Sequence, residues 1–309
     1  AVTVLPASVI NGSLHSENYS DWLGVTQVVD AEQTIDALKG EHIDWLIVDH
    51  YGIDAEWEQQ LRPYTEKLMV VDDLANRPHN CDLLLDQNYS VNGESRYVGL
   101  VPEFCKLLLG PSYALIRPEY LYSRKNLYAP KEPVTKIFVF FGGSDPNNLT
   151  GMALDALCHN DLKHIEVDVV VGANNSYHKS IKQQVLHRAL TTSYEHCEHL
   201  ANLMADADLA LGAGGITTWE RMCIGLPALV VSIANNQISS CESLHCLRLI
   251  GYIGHQDKIT TTDFVNEITQ IIDNQSELEC MSLAGQNLVD GLGTDAIIDT
   301  LCSGTVNLA

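Results

Sequence analysis

Basic residues are scarce in this sequence. It has 18 Lys and Arg against 40 Asp and Glu, which gives a formal net charge of −22 at pH 7. A surface with this balance repels the phosphates of nucleic acids and of anionic membranes. We therefore expect no nucleic-acid partner and no membrane surface as partner. An anionic ligand would have to be held locally, by backbone N–H groups rather than by a basic field.

Long apolar runs and paired cysteines are also missing. The longest apolar runs, such as residues 137–141 and 167–171, are far too short to span a bilayer, and no secretory signal peptide is visible. The nine cysteines are scattered without a CxxC pair, which argues against a zinc site and against a disulfide framework. We expect a cytoplasmic protein without metal or cofactor. No coiled-coil heptad is evident, so the oligomeric state stays open.

The stretch over residues 207–237 has the pattern of strand, glycine turn, helix and strand. The apolar run 207–211 fits a buried parallel strand, and the glycine-rich run 212–215 allows the chain to turn sharply. Thr217 or Thr218 is expected to cap the helix that follows. The rest of the chain is interpreted around this stretch.

A glycine turn that leads into a helix offers unpaired N–H groups and the positive end of the helix dipole to an anion. Gly214 and Gly215 would allow a phosphate to approach, and Glu220 on the helix can accept hydrogen bonds from two ribose hydroxyls. However, such turns occur in every doubly wound fold, and this one lacks the dinucleotide fingerprint and the P-loop lysine. The turn is therefore either plain architecture or part of a nucleoside diphosphate site, and Glu220 is either a ligand group or a solvated carboxylate.

Length and periodicity predict two α/β domains. A chain of 309 residues is long enough for two cores, and short apolar strands alternate with helices in both halves. Several strands end in polar residues, which is typical of an open parallel sheet that binds ligands at the carboxyl ends of its strands. We predict two doubly wound Rossmann-like domains with a cleft between them. The predicted boundaries are residues 1–120 for the first domain, 121–135 for a hinging linker and 136–309 for the second domain.

Three further groups are candidates for the site. Gly143 and Ser144 follow an apolar strand, where they would cradle a phosphate or form a plain turn whose next residue, Asp145, caps a helix. Asn236 and Gln237 follow the strand expected at 228–233. Their amides would read a base or sugar, or they would lie in an exposed loop.

His50 and Tyr51 end a strand of the first half. They would supply an acid or base and an orienting hydroxyl, respectively. The alternatives are a structural histidine and a tyrosine packed at the edge of the domain.

Five segments together resemble one family. They are VDHYG (48–52), VDDLANRPHNCDLLLDQN (71–88), LLLGPSYALIRPEY (107–120), FFGGSDPNN (140–148) and GAGGITTWERMCIGLPALV (212–230). In this order they are similar to the UDP-2,4-diacetamido-2,4,6-trideoxy-β-L-altropyranose hydrolases, the PseG-type enzymes of pseudaminic acid biosynthesis. The resemblance covers nearly the whole chain.

The resemblance implies a fold, a reaction and a substrate site. The fold is that of the GT-B glycosyltransferases, similar to the MurG-type N-acetylglucosaminyl transferase. UDP would lie on the second domain, by the Gly143–Ser144 and Gly214–Gly215 loops and Glu220, with the sugar facing the first domain. Arg117, in the third segment, joins the expected substrate-binding residues.

One family feature has no counterpart here. The family opens with a strand and a GxGH loop whose histidine is the expected base, within a unit of roughly 50–60 residues. This sequence begins with Ala1 rather than Met, and residues 1–5 (AVTVL) have the pattern of an interior strand. We therefore expect that the first domain is incomplete and that the family's base lies upstream of Ala1. His50 lies in another motif and does not replace that base.

The implied reaction is the hydrolysis of a glycosyl phosphate with inversion at the anomeric carbon. Water attacks C1 and UDP leaves, so the growing negative charge on UDP requires preorganised donors more than a strong acid. Two other interpretations stay open. One is a GT-B glycosyltransferase that uses a UDP-sugar donor, and the other is an inactive fragment that binds a UDP-sugar.

Overall fold

The computed structural model describes residues 2–5, 19–124, 133–195, 197 and 199–303. The chain forms two compact units. Unit 1 takes its described residues from 1–88, 92–113 and 295–309, and unit 2 takes its described residues from 89–91 and 114–294.

The helices and strands are numbered in chain order. The helices are α1 (Gln27–Leu38), α2 (Ala55–Leu61), α3 (Pro118–Arg124), α4 (Leu149–Leu157), α5 (His178–His187), α6 (Leu200–Asp206), α7 (Thr217–Ile224), α8 (Asn235–Cys246), α9 (Thr261–Ile272), α10 (Gln275–Leu288) and α11 (Gly293–Ser303). The strands are β1 (Ile43–Val48), β2 (Thr65–Val71), β3 (Leu83–Asp86), β4 (Lys106–Leu109), β5 (Lys136–Phe140), β6 (Glu166–Val171), β7 (Thr191–Glu195), β8 (Leu209–Ala213), β9 (Ala228–Ser232) and β10 (Gly251–His255).

Unit 1 is built on a four-stranded parallel sheet in the order β1-β2-β3-β4. On one face, Trp57 and Leu61 of α2 pack into a core with the sheet residue Leu84. On the other face, Ile297 of α11 packs against Leu85. The sheet is therefore covered by helices on both sides, as a buried parallel sheet requires.

Unit 2 is built on a six-stranded parallel sheet in the order β10-β9-β8-β5-β6-β7. Successive residues of β5 face opposite cores: Val139 packs with Phe264 of α9, and Phe138 packs with Trp219 of α7. The chain leaves β5 toward β6 and later returns to its other side as β8. The direction of the strand order thus reverses between β5 and β8, which is the place where doubly wound sheets bind ligands.

These two sheets confirm the predicted fold class of two parallel-sheet α/β domains. The sequence pattern located most of the strands, but it missed β7 and β10. The helix α11 was missed as well. None of the described helices is both long and apolar enough to cross a membrane.

The structure divides the chain differently from the predicted boundaries of 120 and 136. Residues 295–303 belong to unit 1, because the apolar side of α11 covers its sheet. Helix α3 belongs to unit 2, where Tyr120 is fully buried and Arg124 donates to the carbonyl oxygens of Cys223 and Val289, at 3.0 and 2.7 Å. The predicted linker therefore begins with an anchored helix, and its residues 125–132 lie outside the described residues.

The prediction of an interior strand at residues 1–5 is wrong for the part that the structure describes. Residues 2–5 form no strand, and the side chains of Val2 and Val4 are 93% and 86% exposed. An apolar alternation becomes a strand only where a neighbouring strand accepts its backbone hydrogen bonds and a core covers its side chains. Ala1 itself lies outside the described residues. The expectation about the position of the family's base is not tested here and stays a prediction.

The loops at the carboxyl ends of the strands pack closely at Gly172, which follows β6, and a substitution there tests this packing. A Cβ on Gly172 would lie 2.3 Å from the carbonyl oxygen of Gly143, whereas a Cβ on Gly143 would have no atom within 4 Å. We expect Gly172→Ala to lower the free energy of unfolding by about 1–3 kcal/mol or more. Gly143→Ala, the matched control, should leave it unchanged or raise it slightly. Urea unfolding followed by circular dichroism measures both, and equal effects of the two substitutions would contradict the close packing.

Candidate functional site

The turn between β8 and α7 lies beside the reversal of strand order in unit 2. It contains Gly214 and Gly215, which occupy it for different reasons. A Cβ on Gly214 would lie 2.4 Å from Sγ of Cys241, so close packing against α8 requires a glycine there. A Cβ on Gly215 would make only an ordinary contact, 3.7 Å from Nε2 of Gln237, and Gly215 does not have a positive φ. The missing side chain of Gly215 therefore serves neither packing nor backbone geometry, and it leaves open space at the start of α7.

The N-terminus of α7 carries no side-chain cap. Its N-cap residue is Ile216, and the prediction that Thr217 or Thr218 caps the helix is wrong. The hydroxyl of Thr218 turns inward instead, where it donates to the carbonyl of Ala213 at 3.4 Å. The N–H groups of Gly215, Ile216 and Thr217 have no hydrogen-bond partner among the described residues. The first turn can therefore donate to an anion.

A second helix begins next to this turn. Asn236 and Gln237 belong to the first turn of α8, and not to the exposed loop that the sequence left open as the alternative. The N-cap of α8, Ala234, makes no side-chain hydrogen bond either. Oε1 of Gln237 accepts from the N–H of Ile233 at 2.9 Å, and this bond holds the amide against the glycine turn. Two helix N-termini and one amide donor thus meet at one turn, whereas the side chain of Asn236 is exposed.

The loop after β5 is arranged differently. Asp145 is buried, and its carboxylate accepts from the N–H groups of Leu149 and Thr150 at 2.8 and 2.9 Å. Asn148 accepts from the N–H of Gly151 at 3.3 Å, so the first turn of α4 is already occupied. The capping interpretation of Asp145 is therefore correct. The two residues before this cap, Gly143 and Ser144, are exposed and available to a ligand at the edge of β5.

Glu220 lies one turn into α7 and is held by α3. Tyr120 of that helix lies beside its carboxylate, and Arg117 donates to the Tyr120 hydroxyl at 3.2 Å. Burial raises the pKa of Glu220, while the Tyr120 hydroxyl and the charges of Arg117 and Arg221 act in the opposite direction. Tyr120 was missed in the sequence because it lies 100 positions before Glu220, although it stands in the same segment as Arg117.

Arg221, the neighbour of Glu220, was missed as well. Its side chain is only 1% exposed and lies beneath the glycine turn, where it donates to the carbonyl of Ala213 at 2.9 Å. The sequence signal for its burial was its position among the apolar residues Trp219, Met222 and Cys223, which are all buried in the structure.

In unit 1, His50 and Tyr51 follow β1. Nδ1 of His50 accepts from the N–H of Gly52 at 3.0 Å, and burial lowers the pKa of His50. The neutral ring therefore carries its proton on Nε2, which makes that nitrogen a donor and not a base. This geometry favours the structural interpretation of His50.

The side chain of Tyr51 is held by a hydrogen-bonded carboxylate. Its hydroxyl donates to Oδ1 of Asp73 at 2.7 Å, and Asn88 donates to Oδ2 of the same carboxylate at 2.7 Å. Burial and the neighbouring carboxylate raise the pKa of Tyr51, so its hydroxyl stays protonated at neutral pH. The rings of Tyr51 and Tyr19 lie 5.0 Å apart, beside a cavity of about 290 Å³ that is also lined by Arg77.

The carboxyl ends of β2 and β3 carry further buried carboxylates. Asp72 is paired with Arg77 at 2.7 Å, and Asp86 is paired with Arg96 at 2.7 Å. The hydroxyl of Tyr97 bridges them: it donates to Oδ2 of Asp86 at 3.0 Å and lies 3.3 Å from Oδ2 of Asp72. This network fixes the ends of the two strands. The part of the chain that the structure describes contains no group of three or more His, Cys, Asp or Glu side chains suited to a metal ion.

The fold that these two units define is the GT-B fold. It is shared with MurG of Acinetobacter baumannii, with a TM-score of 0.59 and 13% identity over 90% of this chain and 78% of that one. It is also shared with the UDP-GlcNAc 2-epimerase of Neisseria meningitidis, solved with UDP-GlcNAc, with a TM-score of 0.61 and 13% identity over 94% and 84% of the two chains.

Two curated proteins are similar in sequence. One is the UDP-2,4-diacetamido-2,4,6-trideoxy-β-L-altropyranose hydrolase of Campylobacter jejuni, 28% identical over 212 residues that cover 69% of this chain and 74% of that protein. The other is the spore coat polysaccharide biosynthesis protein SpsG of Bacillus subtilis, 25% identical over 259 residues that cover 83% and 75%. No protein-family model matches the chain. The similarity to the hydrolase confirms the resemblance expected from the five segments.

The carboxyl of Asp86 gives unit 1 a testable pH dependence. Burial raises its pKa to about 6, against the opposing effects of the Asn88 N–H group and of Arg96. Because the folded pKa lies above the unfolded value of about 4, its contribution to stability is complete below pH 4 and is lost as the pH rises through 6. The stability of the wild type relative to Asp86→Asn should therefore fall by up to about 3 kcal/mol between pH 4 and pH 7.

Urea unfolding followed by tryptophan fluorescence measures this difference. Trp22, Trp45 and Trp57 lie in unit 1. Asp263→Asn is the control with the opposite sign, measured by circular dichroism, because hydrogen bonds from Thr260 lower the pKa of Asp263. The stability of the wild type relative to Asp263→Asn should rise with pH over the acidic range. A difference for Asp86→Asn that stays constant or rises with pH would show that the buried carboxyl is not destabilised by ionisation.

Proposed function

We propose that this chain hydrolyses UDP-2,4-diacetamido-2,4,6-trideoxy-β-L-altropyranose to the free sugar and UDP, with inversion at C1, as in pseudaminic acid biosynthesis. The similarity to the hydrolase of Campylobacter jejuni supports the reaction. The observation that carries the nucleotide site is the pair Gly143 and Gly215. They follow the two strands β5 and β8 that flank the reversal of strand order, and neither packing nor a positive φ requires a glycine at either position.

In this proposal the diphosphate lies at the turn between β8 and α7. The free N–H groups that begin at Gly215, the start of α8 and the amide of Gln237 donate to it, with Gly143 and Ser144 at the other edge. These donors stabilise the negative charge that grows on UDP as the bond between C1 and the phosphate oxygen breaks. Thr217 and Asn236 add polar contacts to the ligand. Thr218 is buried and supports the loop from below.

The nucleoside is proposed to lie along α7, where Glu220 accepts from the ribose hydroxyls. Tyr120, whose hydroxyl accepts a hydrogen bond from Arg117, is proposed to orient the carboxylate. On unit 1, Tyr51 is proposed to orient the attacking water. Its own proton is engaged by a carboxylate, so its oxygen is free to accept a hydrogen bond. His50 is not assigned as the base, because its Nδ1 already accepts from a backbone N–H group.

The second candidate function is transfer of the sugar to an acceptor other than water. It is favoured by the GT-B fold, which glycosyltransferases share, and by the similarity to a spore coat polysaccharide biosynthesis protein. The two reactions use the same UDP site and differ in the group that attacks C1.

The chain incubated with the UDP-sugar in ¹⁸O-labelled water, without acceptor, should release UDP and free sugar in equal amounts, with the label on C1. Tyr51→Phe should lower kcat by roughly tenfold or more, because the water loses its alignment, while the affinity for UDP stays the same. Tyr64→Phe, at a half-buried tyrosine of the same unit, is the control and should leave kcat unchanged. Release of UDP only after an acceptor is added, with the sugar joined to that acceptor, would favour the transferase. If UDP is released under neither condition, the chain binds the UDP-sugar without turning it over.

Binding of the nucleoside gives an independent prediction. Glu220→Gln removes the negative charge that accepts from the ribose, so the affinities for UDP and for uridine should both fall by about tenfold, as expected for a hydrogen bond to a charged group. Glu279→Gln, at an exposed carboxylate of α10, is the control. Isothermal titration calorimetry measures the affinities of both ligands for the wild type and for the two variants. An affinity for uridine that is unaffected by Glu220→Gln would remove Glu220 from the ribose site.

A further inference from the structure

The buried guanidinium of Arg221 lies at the point where the strand order reverses. Gly212 of β8 is paired with Phe140 of β5, and a Cβ on Gly212 would lie 2.2 Å from Nη1 of Arg221 and 2.8 Å from the carbonyl oxygen of Phe140. Only a glycine at position 212 leaves room for the guanidinium. The sheet thus has a gap at its ligand-binding edge, and a cation fills that gap.

The contacts of Arg221 point back toward the start of its own helix. Nη2 donates to the carbonyl of Ala213 at 2.9 Å and to the hydroxyl of Thr218 at 3.0 Å, and Nη1 lies 3.4 Å from the hydroxyl of Thr217. Side chains of helical residues lean toward the helix N-terminus, which explains this direction. The cation therefore lies under the first turn of α7, directly below the free N–H groups of the glycine turn.

A cation in this position is electrostatically unfavourable in the absence of an anion. The N-terminus of a helix carries a partial positive charge and normally attracts carboxylates. Arg221 forms no ion pair with a described residue, and its Nε has no hydrogen-bond partner there. The carboxylate of Glu220 acts on Arg221 only through space, and it lies beside the hydroxyl of Tyr120. Burial lowers the pKa of Arg221 to about 10, which leaves the guanidinium charged at pH 7.

Arg188 shows how the same unit satisfies a buried arginine that faces no ligand. It is 6% exposed and donates to the carbonyl oxygens of Leu157, Leu162 and Ile165 at 3.1, 3.1 and 2.8 Å. Leu157 is the last residue of α4, so this cation lies at a helix C-terminus, where the dipole favours it. Arg221 has fewer acceptors and lies at the opposite end of a helix.

We propose that Arg221 is a positioning residue for the diphosphate: from beneath the turn it holds Ala213, Thr217 and Thr218 in place, and its charge, which forms no ion pair with a described residue, is neutralised by the bound phosphates. This inference rests on the nucleotide site of the proposed function and assigns to that site its buried positive charge. The guanidinium does not touch the ligand; it acts through the loop and through its field. Its contribution therefore concerns the phosphates and not the nucleoside.

The test compares UDP with uridine on the full chain by isothermal titration calorimetry. Arg221→Met keeps the length and apolar stem of the side chain and removes its charge. It should weaken UDP binding by about tenfold or more, equivalent to about 1.4 kcal/mol, and change uridine binding by less than about twofold. Arg221→Lys keeps the charge and should restore part of the preference for UDP. Arg188→Met, the matched control, should leave the ratio of the two affinities unchanged even if it lowers stability.

A second variant keeps the proposal falsifiable if Arg221→Met does not fold. Thr218→Val has nearly the same shape but removes one acceptor of the guanidinium, so it should lower the affinity for UDP by a few fold and leave that for uridine unchanged. Equal losses for UDP and uridine in Arg221→Met, or an unchanged UDP-to-uridine ratio in every folded variant of Arg221 and Thr218, would overturn the proposal. If the wild-type chain binds neither UDP nor uridine, the proposed function fails as well. If the wild type binds both and the ratio does not move, only the role of Arg221 is refuted.

Discussion

The pairing of β5 with β8 is the constraint on which the rest of unit 2 depends. Phe140 lies opposite Gly212 in this pair, and the chain leaves the two strands on different faces of the sheet. Helix α4 packs in one core and α7 in the other, so the loops that precede them diverge. A crevice at the carboxyl ends of the two strands follows from the connectivity alone. Its chemistry depends on how each helix that borders it begins.

The helices that border this crevice satisfy their first N–H groups in two different ways. Asp145 and Asn148 occupy the start of α4, so the stability of that helix does not depend on a ligand. The starts of α7 and α8 have no side-chain cap, although Thr217 and Thr218 are present and well suited to capping. Since a cap typically stabilises a helix by about 1 kcal/mol, its omission at two neighbouring helices is a cost that an anionic ligand would offset.

The sequence was informative where structure depends on local rules. The apolar runs located most of the buried strands, and Gly225 ends α7 with a φ of 91°, which a glycine adopts readily. Long-range contacts were not accessible in the same way. Thr218 looked like a cap because nothing in the sequence shows that its hydroxyl is engaged by Arg221 from below. Similarly, the hydroxyl that lies beside Glu220 is that of Tyr120, which belongs to a helix from a distant part of the chain. The role of α11 in unit 1 was hidden for the same reason, because its apolar face finds its sheet only in the folded chain.

The two units, each taken by itself, carry chemically different groups. Positive features are concentrated in unit 2, where free N–H groups and the buried guanidinium of Arg221 suit a leaving group that gains negative charge. In unit 1 the ionisable side chains near Tyr51 are bound to one another: Asp73 accepts a hydrogen bond from the Tyr51 hydroxyl, and Arg77 is paired with Asp72. A hydroxyl whose proton is engaged in this way acts as an acceptor, which suits the alignment of water rather than protonation of a leaving group. In the proposed hydrolysis, UDP leaves without strong acid assistance, so the reaction requires donors for the nucleotide and an oriented acceptor for the water. That is the distribution of groups in these two units.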